Sequence, residues 1–222
     1  MLQKSTLEFL TQLRTNNNKI WFDTHREEYQ NARVDFANFI DNTITEVSKK
    51  DHSIQHLKSK DCMFRINRDI RFSKNKDPYK SNFGAFLVAG GKKSTLAGYY
   101  FHLEPGLSFA GGGLWMPAAE QLQKVRQEID YNLTDFKKII NNKTFKEIYG
   151  ELTAESGQKL TRVPKGYEAD NPAAEYLKFK SFVAMRGISD IELTSKNLSK
   201  NILKAFYTLQ PLIYFLNEGI NS

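Results

Sequence analysis

The turn at Pro105-Gly106 constrains this chain most strongly, because it separates two segments that both have the character of strands. Residues 96–104 and 107–114 are mostly aromatic, aliphatic or glycine, with few charges. Glycine at the second central position supplies the positive φ that a type II turn requires. Such a short turn joins antiparallel neighbours directly, whereas parallel strands need a long crossover. The sequence therefore predicts an antiparallel hairpin.

Periodic segments on both sides extend this hairpin into an α+β fold. Alternation and short apolar runs predict further strands near residues 62–72, 83–89 and 181–188. Helical spacing of apolar residues predicts a long helix near residues 26–49 that packs its aromatic face on the sheet. A C-terminal helix follows, which we expect Pro211 to kink or break. We predict a single domain over residues 1–222, with a mainly antiparallel sheet packed by the long N-terminal helix and further helices.

The composition narrows the class of protein. Cys62 is the only cysteine, so the chain can form no internal disulfide and no cysteine-based zinc site. No apolar run approaches the roughly 20 residues of a membrane span, and the sequence starts without an apolar signal segment. We therefore expect a cytoplasmic protein with no membrane contact, no metal and no cofactor, and the oligomeric state stays open. The phosphate-cradling loop of nucleotide hydrolases and the nucleophile elbow are both absent from the sequence.

Residues 58–80 hold most of the excess positive charge. They contain eight Lys or Arg and three Asp, a local charge of +5, against +7 for the whole chain. With a period of two, one face of a strand here carries the apolar side chains, namely Phe64, Ile66, Ile70 and Phe72. Arg68 falls on this apolar face, so we predict that it is buried and paired with a carboxylate.

The arginines of this segment are candidate ligands of an anion. Guanidinium groups present paired donors that fit phosphate or carboxylate, so we predict an anion site at Arg65, Arg68 and Arg71. Lys74 and Lys80 add positive charge from the following loop. The alternative is a solvated strand face on which nearby aspartates pair with these arginines.

The first strand of the hairpin carries polar side chains on one face. His102 shares this face with Tyr100 and Glu104, an arrangement that could transfer protons. The alternative is an ordinary hydrogen-bonded histidine. Tyr79 is a second candidate for proton transfer.

A glycine run in the second strand of the hairpin weakens that strand unless something approaches its backbone closely. Either the tyrosine rings of the first strand cover these glycines or a ligand does. We predict a cleft that binds an anion and is lined by Arg65, Arg71, Lys74, Lys80, Tyr100, His102, Gly111, Gly112 and Gly113.

Several segments together resemble one family, catalogued as domain of unknown function 2461. The matching segments are Trp21-Phe22, His25-Arg26, residues 64–74, Pro78-Tyr79-Lys80, Tyr99-Tyr100, residues 102–106, residues 111–115 and residues 164–167. The resemblance covers nearly the full length and implies a single widespread domain, chiefly bacterial, without an assigned activity. Asn171, where the family often has His, and Asn75, where it often has Asp, depart from the pattern.

Three classes of function fit these observations. The first is a domain that binds a phosphorylated or otherwise anionic ligand, either a small molecule or a nucleic acid. The second is an enzyme that holds an anionic substrate with the same arginines and uses His102 or Tyr79 in proton transfer. The third is an interaction domain whose basic surface binds an acidic protein.

Overall fold

The computed structural model describes residues 1–71, 74–153 and 159–222. The helices of these residues are α1 (Lys4–Thr15), α2 (Lys19–Thr24), α3 (Arg26–Val47), a 3-10 helix (His52–Ile54), α4 (Ser59–Cys62), α5 (Ala119–Tyr131), α6 (Leu133–Ile140), α7 (Lys143–Tyr149), α8 (Ala174–Leu177), α9 (Asp190–Leu193) and α10 (Leu198–Asn221). The strands are β1 (Phe83–Leu87), β2 (Gly98–Leu103), β3 (Phe109–Leu114) and β4 (Phe182–Gly187). No helix of this described part is long and apolar enough to cross a membrane.

The four strands form one antiparallel sheet in the order β1-β2-β3-β4. The turn between β2 and β3 is the predicted one, because the Leu107 N–H donates to the Glu104 carbonyl at 2.9 Å and Gly106 has a φ of 80°. Each strand lies within a range that the sequence predicted. The predicted α+β fold with an antiparallel sheet is therefore confirmed.

The predicted strand over residues 62–72 is wrong. Cys62 ends α4, and single bridges replace a ladder in the described part of the segment, one of them between Asn67 and Tyr79. Pro78, beside that bridge, has no N–H to donate, so a continuous ladder cannot extend past it. Pairing with residues 78–80 therefore stays local.

The predicted apolar face of this segment is buried at only one of its three described positions. Ile66 is buried, with 4% of its surface exposed, Ile70 is half-buried, and 39% of Phe64 is exposed. Phe72 lies outside the described residues. The ring of Phe64 therefore lies at the surface, where it forms part of the candidate site described below.

The described chain divides into two compact units, so the predicted single domain stays a prediction. The first unit comprises residues 1–93, 100–110 and 187–204. In its core the buried Phe36 of α3 packs on Phe83 of β1 and Phe101 of β2, with ring centroids 5.3 and 6.0 Å apart. The long helix thus packs its aromatic face on the sheet, as predicted.

The second unit comprises residues 94–99, 111–186 and 205–222. Phe136 of α6 lies at its centre, 5.4 Å from the ring of Phe215 in α10. Of the kink or break expected at Pro211, the break is wrong, because α10 continues through this residue. Its neighbours Leu209 and Leu212 are fully buried, and such packing offsets the roughly 3 kcal/mol that an interior proline costs.

Candidate functional site

Tyr100 and His102 of β2, together with Glu104 directly after the strand, carry a hydrogen-bonded chain on one face. Oη of Tyr100 lies 3.1 Å from Nδ1 of His102, and Nε2 of His102 lies 3.0 Å from Oε2 of Glu104. Ser81 donates to the other carboxylate oxygen of Glu104 at 3.0 Å. A spacing of two places side chains on the same face of a strand. The shared face that the sequence predicted for these three residues is therefore present.

The partners of His102 decide where its protons lie. Ionised Glu104 can only accept, so Nε2 carries a hydrogen and Nδ1 accepts the hydroxyl hydrogen of Tyr100. Burial, with a smaller contribution from the negative charge of Glu104, raises the pKa of Tyr100 to about 12. Phe109 stacks on the imidazole at 4.8 Å. Tyr100 therefore keeps its proton at neutral pH and acts as a donor.

Arg65, Arg68 and Lys80 form what we call the cationic cluster. Lys80 is half-buried, and its pKa is lowered first by burial and then by the positive charges of Arg65 and Arg68. Across the ranges that the structure describes, no carboxylate forms an ion pair with any of the three. Like charges repel, so Arg65 and Arg68 make the charged form of Lys80 less favourable, whereas the negative charge of Asp69 interacts favourably with Arg65.

Phe64 connects the cationic cluster to the hydrogen-bonded chain of β2. Its ring meets that of Tyr100 at 6.4 Å in an edge-to-face geometry, and Nζ of Lys80 lies 5.7 Å from the centre of the Phe64 ring. Ser81, the donor to Glu104, follows Lys80 in the sequence. Cations and proton-carrying groups therefore lie together within the first unit.

Arg68 forms no ion pair with a carboxylate of the described residues, so the predicted partner is wrong for this part of the chain. Arg68 is half-buried rather than buried, and its backbone N–H donates to the Pro78 carbonyl at 2.9 Å. Its Nε is buried and has no hydrogen-bond partner among the described residues. The prediction assumed a regular strand, and the segment does not form one. A buried N–H without a partner costs about 1–3 kcal/mol.

A basic groove of about 630 Å³ opens on the same unit. Its cations come from α3, α4, the segment after α4 and the turn after β1, and they are Arg33, Lys60, Arg65, Lys92 and Lys93. The described lining includes the aromatic side chains of Tyr29 and Phe64 but no Asp or Glu. Its volume is in the range of pockets that hold small-molecule ligands, roughly 300–1,000 Å³.

Arg71 and Lys74 are placed differently from the cationic cluster. The Arg71 guanidinium donates to both carboxylate oxygens of Asp69, at 3.0 and 2.7 Å, and the pair is exposed. Lys74 is exposed as well. The alternative of a solvated face on which an aspartate pairs with an arginine therefore describes Arg71.

Tyr79 lies in an aromatic core rather than in a cleft. Only 7% of it is exposed, and its ring stacks on Phe22 at 3.9 Å. Its backbone exchanges two hydrogen bonds with the side chain of Asn17, at 2.9 and 3.1 Å. These contacts describe a structural residue.

The glycines of β3 belong to the second unit, where strand backbone packs against them. A Cβ at Gly111 would overlap the Ala184 carbonyl of β4, and a Cβ at Gly113 would overlap the Phe182 carbonyl. Gly112 is crowded in the same way by the Gly98 carbonyl of β2. What approaches these glycines is therefore the backbone of neighbouring strands, neither of the two candidates that the sequence suggested.

Four of the five groove cations are absent from the sequence-based prediction of the site. Only Arg65 is common to both sets. Lys92 and Lys93 follow two glycines in a turn, a local signal that marks exposed positive charge. Arg33 and Lys60 carry no such signal, because only the tertiary structure brings them to the groove.

No three His, Cys, Asp or Glu side chains of the described residues come together in a way that could hold a metal ion. Cys62, the one cysteine, is buried, and burial raises the pKa of its thiol to about 12. It is therefore an inert core residue rather than a nucleophile.

Comparison with known proteins gives a family. Residues 5–215 match the family described as conserved hypothetical protein (DUF2461). No curated protein and no solved structure matches the chain significantly. Because the match covers nearly all of the sequence, the chain belongs to the DUF2461 family.

Proposed function

We propose that this protein binds a phosphorylated or otherwise anionic ligand at the cationic cluster and the adjoining basic groove. The observation that carries the proposal is a set of cations without carboxylate partners among the described residues, including half-buried Lys80 and the buried, unpaired Nε of Arg68. An anion would neutralise their repulsion and accept that N–H. Arg65 belongs to both the cluster and the groove, so it is the central ligand.

The proposal is tested by calorimetric titration with pyrophosphate, which carries several negative charges and no other group. Replacing Arg65 removes a charge-assisted contact worth about 2 kcal/mol. We therefore expect Arg65→Ala to weaken pyrophosphate binding about 30-fold. Added salt should weaken binding to the wild-type protein as well, because it screens the exposed cations of the groove.

The matched control is Arg162→Ala. Arg162 is exposed and lies outside the groove lining, so its loss should leave pyrophosphate affinity within about twofold. Equal weakening in the two variants would show that net charge, rather than the cluster, attracts the anion. Absence of pyrophosphate binding by the wild-type protein would contradict the proposal itself.

An enzyme acting on an anionic substrate is the second candidate, and the hydrogen-bonded chain of β2 favours it. When His102 carries a second proton, Glu104 stabilises the imidazolium and Nδ1–H donates to Oη of Tyr100. The hydroxyl hydrogen of Tyr100 is then free to pass to a leaving oxygen, and His102 replaces it. Proton transfer to the substrate would thus run through Tyr100, because both ring nitrogens of His102 are engaged.

Hydrolysis of phenyl phosphate tests this second candidate, because its phenolate leaving group requires a proton. If the candidate is right, the wild-type protein hydrolyses phenyl phosphate, and Tyr100→Phe and His102→Gln each lower kcat about 100-fold or more. Pyrophosphate affinity, measured as above, should stay within about twofold in both variants. A wild-type protein that binds pyrophosphate but leaves phenyl phosphate intact would exclude this enzymatic role.

The cytoplasm of a bacterium is the setting that we propose. A single buried cysteine suits a reducing compartment, and the family that the chain resembles is chiefly bacterial.

The salt dependence of binding distinguishes two kinds of anionic ligand. A nucleic acid gives a steep slope because it releases many counterions, whereas a small phosphate gives a shallow one.

A further inference from the structure

Phe64 stands out among the residues of the basic groove. It is a large apolar side chain with 39% of its surface exposed, in a lining that also contains five cations. Its contacts with Tyr100 and Lys80 hold the ring in position. An exposed aromatic ring held among cations is a typical platform for a planar ring that carries a phosphate.

The rest of the lining fits such a ligand. Tyr29, half-buried, adds a second ring, and its hydroxyl can both donate and accept a hydrogen bond. Gln30 and Asn67 add side-chain amides, which match the donor and acceptor pattern of base edges. A site for inorganic phosphate alone would have no use for these groups.

We infer that the groove binds a nucleoside phosphate, with the base stacked on Phe64. The phosphates are held by Arg65 of the groove lining and by Lys80 of the cationic cluster, whose Nζ lies 5.7 Å from the centre of the Phe64 ring. This inference rests on the proposed anion site and names the class of its ligand. The same chemistry occurs in a free nucleotide and in a single-stranded nucleic acid. The two sources differ in how affinity grows with the number of linked nucleotides.

The experiment compares pyrophosphate with ADP, which carries a similar diphosphate and adds the nucleoside, by titration without divalent cations. Base stacking on an aromatic side chain makes ADP bind about tenfold more tightly than pyrophosphate to the wild-type protein. Phe64→Leu removes this tenfold difference between the affinities for ADP and pyrophosphate, because leucine offers no ring on which the base can stack. Tyr131→Leu, at an exposed tyrosine outside the groove lining, keeps the difference.

Oligothymidylates of increasing length identify the source. Affinity that rises steeply with length, and falls with salt in proportion, assigns the site to single-stranded nucleic acid. If longer oligothymidylates bind no more tightly than a dinucleotide, the site is assigned to a free nucleotide.

Two results overturn the inference and leave the anion site intact. One is equal affinity of the wild-type protein for ADP and pyrophosphate. The other is a tenfold difference that persists in Phe64→Leu. If neither ligand binds, the anion site itself is refuted, and this inference falls with it.

Discussion

Gly113→Ala is expected to destabilise the protein by about 4 kcal/mol, because two separate costs add. Gly113 has a φ of 122°, a conformation that residues with a side chain rarely adopt. In addition, the new Cβ would overlap the Phe182 carbonyl and lie 3.0 Å from the Cα of Val183. Moving the backbone of Phe182 and Val183 aside would disturb the hydrogen bonds of the sheet. Equilibrium unfolding in urea measures the loss, which is large against a typical stability of about 5–15 kcal/mol.

Gly106→Ala is the matched control. Gly106 also has a positive φ, of 80°, but no atom of the described residues lies within 4 Å of the position that a Cβ would occupy. Only the conformational cost remains, so we expect a loss of about 1–2 kcal/mol. If the two variants lose the same stability, the close approach of β4 to Gly113 is not what requires the glycine.

Lys80→Met is expected to have two opposite effects, a gain in stability and a loss of anion binding. The substitution removes a half-buried charge without an ion-pair partner among the described residues and keeps most of the apolar volume. We expect the unfolding free energy to rise by about 1 kcal/mol, as is common when a functional group under strain is removed. Pyrophosphate affinity should fall about tenfold or more, because Lys80 is one of the three cations of the cluster.

The gain in stability of Lys80→Met over the wild-type protein should decrease as the pH rises. The pKa of Lys80 is lowered below 10.5 in the folded protein, so the unfolded chain holds this proton more tightly. The cost of the charged Lys80 is present in full below the folded pKa and disappears as the pH rises to 10.5. The advantage of Lys80→Met should therefore shrink over this window. Lys74→Met, at an exposed lysine, should show neither the gain nor the pH dependence.

Local signals predicted the part of the fold that depends on local chemistry. Pro105-Gly106 determines its own turn, and the aromatic spacing of α3 determines which face of that helix meets β1 and β2. The strand predicted over residues 62–72 is wrong because the prediction used only the alternation of the segment itself. Its pairing also depends on the partner segment, where Pro78 has no N–H to donate. Of the kink or break expected at Pro211, the break does not occur, because the burial of Leu209 and Leu212 outweighs the local preference of proline.

The candidate site likewise has some features that the local sequence predicts and others that depend on the tertiary structure. Arg65 and Lys80 lie in the charged segment and were recognisable from charge density alone. The shared face of Tyr100 and His102 was predicted from their spacing of two along a strand. That Nε of Arg68 has no hydrogen-bond partner among the described residues could not be predicted from the sequence, because hydrogen-bond partners are set by the tertiary structure. The role of Phe64 was missed for a similar reason: apolar character predicts burial on average, and an exposed aromatic ring becomes visible only in three dimensions.

The central claim is that the cationic cluster binds an anion, and a crystal structure of the protein with pyrophosphate tests it most directly. We predict phosphoryl oxygens at hydrogen-bonding distance, about 2.7–3.2 Å, from side-chain nitrogens of Arg65, Arg68 and Lys80. An anion bound instead at the exposed Arg71 and Lys74, or absent from the cluster at saturating pyrophosphate, would contradict the claim.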